Sequence, residues 1–111
     1  KLHTRHILVR HAGARNAPAD VTRTEADARA RAEQLRAQVL ADGADFAAIA
    51  RAESEDGSAE DGGDLGMVGR GLLAPAYEEA AWRLAVGEVA PVVQTDFGFH
   101  VIQRLADLPP P

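Results

Sequence analysis

Cysteine is absent from the 111 residues. That excludes disulfides, zinc–thiolate centres and a thiol nucleophile, and it leaves oxidising and reducing compartments equally open. No apolar run approaches the roughly 18 residues a membrane-spanning helix needs, and no secretory signal pattern stands at the start. The first residue is Lys1 and not Met, which fits a processed protein or a domain cut from a longer chain. Bacterial cytoplasm and periplasm or envelope therefore both stay open. Positive charge is scarce: 12 Lys and Arg face 17 Asp and Glu, for a net charge of −5. Nucleic acid and anionic membrane surfaces reward clustered cations, so neither is expected as a partner.

What is present fits one small domain. An apolar content of 46% over this length supports a modest single core and is too little for two. The expected division is one domain over residues 1–108 and a proline-rich tail over 109–111, acting as a monomer or as part of a longer chain. Two stretches at opposite ends share a pattern, "TRHILVR" from Thr4 and "GFHVIQR" from Gly98. Each sets a histidine ahead of an aliphatic run that closes on arginine. The first reads as a strand with His6 and Leu8 on one face and Ile7 and Val9 on the other, hence buried on both sides.

Residues 11–21, rich in Gly, Pro and Asn, read as an exposed loop. Thr22 with Glu25 and Thr24 with Asp27 are overlapping cap signals for a helix. Ala28, Ala32, Leu35 and Val39 make its apolar stripe, and Gly43 is its expected stop. Asp45 caps a shorter helix with Phe46, Ile49 and Ala50 on one face, ending by Glu53. Six of the ten glycines then fall between Gly57 and Gly71, where the chain must turn repeatedly. Pro75 suits the first turn of a third helix lined by Tyr77, Ala81 and Leu84 and running to about Gly87. "APVVQT" and "FGFHVIQRL" follow as two strands with a turn at Thr95–Asp96. His3 and His11 are expected at an exposed edge or in a loop, and Trp82 on the buried side of the third helix or covering its edge.

The phrases "RHILV", "GADFAAIA", "S-x-D-x-SA", "GGDLG", "RGLLAPAYEEAAW", "GEVAPVV" and "T-x-FGFHVIQR" stand in one order from about Thr4 to Leu105. In that order and near that spacing they resemble the parvulin family of peptidyl-prolyl cis-trans isomerases. The resemblance implies an α+β fold: a four-stranded antiparallel sheet surrounded by about four helices, with the first and last strands adjacent in the centre. It also implies an isomerase for proline-containing polypeptides, with no cofactor or metal, assisting protein folding. The alternative is a parvulin-like peptide-binding or chaperone module with little or no activity.

The family's polar network falls on His6, Asp56, Thr95 and His100, and its apolar pocket on Leu65, Leu73 and Tyr77. Met67, Val68 and Phe97 are implied as further lining, although Val68 stands where an aromatic residue is common, which predicts a reshaped pocket. In one branch a basic cluster after the first strand binds a phosphorylated residue before proline. Arg10 and Arg15 match two of its positions, but Asn16 takes the third, so a weak preference for an acidic residue is expected. The two histidines are expected to shape and polarise the pocket at least as much as to move protons. The acidic, glycine-rich "SEDGSAEDGGD" lacks calcium-loop spacing and reads as a turning surface segment.

Overall fold

The computed structural model describes residues 1–110. Its elements are β1 (Leu2–Val9), α1 (Glu25–Leu40), α2 (Phe46–Glu53), a 3₁₀ turn (Gly57–Asp61), β2 (Asp64–Val68), α3 (Pro75–Trp82), β3 (Val93–Thr95) and β4 (Gly98–Arg104). The strands form one antiparallel sheet in the order β2-β1-β4-β3. The first and last strands are thus neighbours in the middle, as expected, with three α-helices and one 3₁₀ turn around them.

Strand alternation gives the sheet two faces. Ile7, Val9, Phe99 and Val101 point one way and pack on Ala28, Ala32 and Leu35 of α1 and on Phe46 and Ala50 of α2. Leu2 and Ile102 point the other way and pack with Tyr77 and Ala81 of α3. On that second face Leu8 pairs with His100 and His6 with Ile102, so His6 and His100 are diagonal neighbours, within reach of long side chains.

The caps work as the sequence indicates. Thr24 accepts from the backbone N–H of Asp27, and Asp45 from that of Ala48, each satisfying a donor the first helical turn leaves open. The Thr22 signal is not used. Helix α1 stops at Leu40, three residues before Gly43, because Ala41 is already extended. Helix α3 ends at Trp82 rather than near Gly87. The Leu84 N–H turns back to Ala81, the Ala85 N–H goes to Glu88 Oε1 at 2.6 Å and the Gly87 N–H to the Arg104 carbonyl at 2.7 Å, so the helical bonds to Ala81 and Arg83 do not form. The β3–β4 hairpin turns at Asp96–Phe97, one residue later than expected, since Thr95 pairs with Gly98.

Two glycines let this sheet close. A Cβ at Gly63 would lie 2.2 Å from the His6 carbonyl oxygen, and one at Gly98 would lie 2.4 Å from that of Val9. Both have positive φ, so any side chain would be both clashing and strained.

His3 departs from expectation. It is only 5% exposed. Its Nδ1 lies 2.8 Å from the Ala106 carbonyl and its Nε2 2.8 Å from Asp64 Oδ1. Both partners are acceptors, so both ring nitrogens must carry hydrogen. Burial opposes that charge, but the Ala106 carbonyl and Asp64 outweigh it and hold the pKa above its ordinary value. His11 lies in the loop and is half-buried. Trp82 packs against the α3 cluster, with Arg70 and Arg104 over its ring at 4.3 and 5.1 Å.

Candidate active site

Four side chains named from the sequence meet on the α3 face of the sheet, joined end to end. Asp56 caps the 3₁₀ turn, and its Oδ2 accepts from the backbone N–H of Ser58 at 3.0 Å and from the Ser58 hydroxyl. The same oxygen lies 3.1 Å from His6 Nε2. His6 Nδ1 is 3.0 Å from His100 Nδ1, and His100 Nε2 is 2.7 Å from Thr95 Oγ1. Thr95 Oγ1 in turn accepts from the Phe97 N–H at 3.2 Å.

The direction of this chain is fixed by its ends. The hydrogen bond from His6, helped by those from Ser58 and opposed by burial, holds the Asp56 carboxyl far below the usual carboxylate range. Asp56 is therefore an acceptor only, and His6 Nε2 must donate to it. Burial, with the neighbouring His6, pushes the His100 pKa down to about 3, so His100 is neutral. Where the His6–His100 pair carries two hydrogens in all, one arrangement satisfies every atom. The Phe97 N–H donates to Thr95, the Thr95 hydroxyl to His100 Nε2, His100 Nδ1–H to His6 Nδ1, and His6 Nε2–H to Asp56. Every dipole points toward the carboxylate.

Tyr77 braces the pair. Its ring stands edge-on to both imidazoles, at centroid distances of 5.4 and 5.3 Å and interplanar angles of 83° and 84°. Its hydroxyl lies 2.8 Å from Thr4 Oγ1, and burial pushes its pKa up, so the phenol stays protonated. The ring therefore presents apolar surface to the site while its polar tip is spent elsewhere.

Above these groups lies a cavity of about 320 Å³. His6, His100 and Asp56 line it on one side, Leu65, Leu73, Tyr77 and Phe97 form apolar walls, and Arg10 and Asn16 stand at its edge. Two wider depressions of about 600 and 650 Å³ flank it and hold none of the histidines. Because the imidazoles and the carboxylate are engaged with one another, they do not converge on a common point as metal ligands would.

Two implied lining residues fall outside. Met67 pairs with His3, which shares a face with Ile7, so Met67 belongs to the far side of the sheet. Val68 pairs with Leu2, four residues and ~13 Å along β1 from His6. The cause is a bulge, in which Leu65 and Gly66 together stand against Thr4 and Gly66 takes φ +70°. It turns Leu65 toward the cavity and leaves the residues after it out of phase. Arg15 lies over the Phe97 ring at 5.3 Å and borders the neighbouring depression instead. Leu8, Leu72 and Ala74 also line the cavity. Leu8 could have been named from strand alternation, two residues beyond His6 on the same face. Leu72 and Ala74 flank a named residue in "GLLAP" but carry no signal of their own.

Comparison with known proteins bears on the family and the fold. Residues 1–107 match the family model described as the PPIC-type PPIase domain. The peptidyl-prolyl cis-trans isomerase Pin1 of Digitalis lanata is 38% identical over 112 residues, covering 94% of this chain and 95% of its own. The chaperone SurA of Chromobacterium violaceum is 44% identical over 100 residues, 90% of this chain but 21% of its own. Among solved structures, the peptidyl-prolyl isomerase ESS1 from Candida albicans superposes with a TM-score of 0.89 at 29% identity, over 95% of this chain and 62% of that one. The chain thus spans about a fifth of SurA and under two thirds of ESS1. With the fold, the match over residues 1–107 and the likeness to Pin1 over nearly both full lengths, the chain belongs to the parvulins, the PPIC-type peptidyl-prolyl cis-trans isomerase domains.

Proposed function

We propose that this chain accelerates cis-trans rotation of X-Pro bonds in polypeptides by binding the twisted amide in the cavity beside His6 and His100. Amide resonance sets a barrier of roughly 18–20 kcal/mol, while the two X-Pro isomers differ by only about 0.5–1 kcal/mol. The catalyst needs no nucleophile. It has to bind the rotated bond better than either planar form, with tenfold in rate for each ~1.4 kcal/mol of preference.

The observation that carries this reading is an apolar cavity bordered by a polar chain of fixed direction. Leu65, Leu73, Tyr77 and Phe97 suit the proline ring and exclude water that would stabilise the planar carbonyl. The hydrogen-bonded chain from Thr95 to the Asp56 carboxylate presents preset dipoles to an amide whose charge redistributes on twisting. No step calls for proton transfer, so His6 and His100 act by shaping and polarising the site.

Arg10 lines the cavity and makes no ion pair among the described residues. Its neighbour Asn16 supplies no charge. This supports a modest preference for an acidic residue before proline, with Arg15 reinforcing it from beyond Phe97. Turnover of Ala-Pro, Glu-Pro and phospho-Ser-Pro peptides tests it. Glu-Pro is expected to lead Ala-Pro by a few fold, and a phosphopeptide preference above roughly hundredfold contradicts it.

The likeness to the chaperone SurA supports a second reading, a peptide-holding module within a longer chain. Proline-isomerisation by the purified chain, beside Leu73→Ala and Asp56→Ala, separates the two. Wild-type rates no faster than buffer leave the holding role.

A further inference from the structure

A second groove, about 600 Å³ in volume, runs beside the proline cavity and meets it at Leu73, which lines both. Its bed is Trp82, and Arg70, Arg83, Glu78 and Glu79 stand around it. The charges are unequally engaged. Glu79 is bound to Arg83 at 2.6 Å, and Glu78 accepts from the Gly71 N–H at 3.1 and 2.9 Å through its two oxygens. Arg70 makes no ion pair or hydrogen bond among the described residues. Its guanidinium lies over the Trp82 ring at 4.3 Å, an arrangement that leaves the guanidinium's edge open to a carboxylate. The indole N–H of Trp82 also has no acceptor among the described residues, so no hydrogen bond pins the ring.

We infer that this groove receives the substrate segment that follows the proline, and that Arg70, over Trp82, selects an acidic residue in it. The inference rests on the isomerase reading, which puts the proline beside Leu73 and the preceding residue toward Arg10. A chain leaving the cavity past Leu73 enters the groove directly. An extended segment of about four residues, roughly 13 Å, gives it length to occupy. The aliphatic part of that segment lies along Leu73 and Pro75, and its carboxylate pairs with Arg70 above Trp82, the one unengaged cation of the groove.

The molecule supplies its own probe, since Trp82 is the only tryptophan. Peptides that end at the proline are compared with peptides continued by about four residues carrying Glu or Lys, and with the same extension placed before the proline. The wild type is expected to shift its tryptophan emission only with the C-terminal extension, and to favour Glu over Lys roughly fivefold through KM, the scale of one exposed ion pair. Arg70→Ala should erase that preference and Arg70→Glu reverse it, both with unchanged turnover of the short peptide. No difference between Glu and Lys, an unaltered preference in Arg70→Glu, or an emission shift only with the N-terminal extension overturns the inference. Failure of the isomerase reading is separate: it appears as no turnover of the short peptide, whatever the emission does.

Discussion

The Nδ1 atoms of His6 and His100 stand 3.0 Å apart across the two central strands, although 94 positions separate them in sequence. That contact requires at least one neutral ring, and it ties the site to pH. His100 takes up its proton near pH 6.5 when unfolded and only near about 3 when folded, so the unfolded chain binds more protons in that interval. The stability this group contributes is complete above pH 6.5 and declines as pH falls toward 3, by at most ~5 kcal/mol at 1.36 kcal/mol per unit. Asp56, whose carboxyl is held low, loses its share in the same direction below its ordinary value of 3.8. Denaturant midpoints measured from pH 7 to 4 should fall steeply for the native chain and less steeply for His100→Asn; equal slopes would remove the assignment.

Thr95 is the donor that sets the orientation of the histidine pair. In Thr95→Val the His100 Nε2 loses its proton donor and becomes a buried acceptor without a partner, which costs about 1–3 kcal/mol. His100 can then adopt the other tautomer, and the chain toward Asp56 loses its fixed direction. We expect a drop in kcat of roughly tenfold, the scale of ~1.4 kcal/mol of transition-state stabilisation, with KM little changed. Nitrogen NMR of the imidazoles should show mixed tautomers in the variant. An unaltered tautomer in Thr95→Val would refute the role given to its hydroxyl.

Much of this site could be read from the chain because its determinants are local or periodic. Alternation set His6 and Leu8 on one face, Thr24 and Asp45 announced the two helices, and Pro75 announced the third. What escaped was decided by partners far away in sequence. His3 is clamped by Asp64 and Ala106, 61 and 103 positions off, and nothing around it in the strand marks it as buried. The early end of α3 goes with the Arg104 carbonyl taking the Gly87 N–H. Met67 was misplaced because the bulge at Leu65 and Gly66 breaks strand alternation within a glycine-rich stretch whose backbone could turn in several ways.

Leu73 and Tyr77 both line the cavity, and substitutions at the two should separate binding from stability. Leu73 is half-buried, so Leu73→Ala removes grip on the proline ring more than core packing. A loss of apolar contact worth about 1–3 kcal/mol predicts a rise in KM of roughly tenfold or more. Tyr77→Phe keeps the ring against both histidines and removes only the hydroxyl bonded to Thr4. It should cost about 1–3 kcal/mol of stability, because the buried Thr4 hydroxyl is left without its partner, while kcat/KM stays near native. A large activity loss in Tyr77→Phe with stability intact would mean that the hydroxyl serves the substrate.

His3 carries the opposite pH signature. Its folded pKa is raised above 6.5, so its contribution is fully present below pH 6.5 and disappears as pH rises through the folded value. The groups facing it are Asp64 on β2 and the Ala106 carbonyl, with Asp107 nearby. Together with the bond from the Leu105 N–H to the His3 carbonyl at 2.8 Å, the imidazolium ties the segment after β4 to the edge of β1 and β2. Raising the pH from 6 to 9 should therefore speed amide exchange at Leu105 and at Gly66, whose N–H is held by the same Asp64 oxygen at 2.8 Å. In His3→Gln the exchange, after correction for the intrinsic pH effect, should already be fast at pH 6 and change little by pH 9. Native-like protection that varies with pH in His3→Gln would show that another group controls this edge.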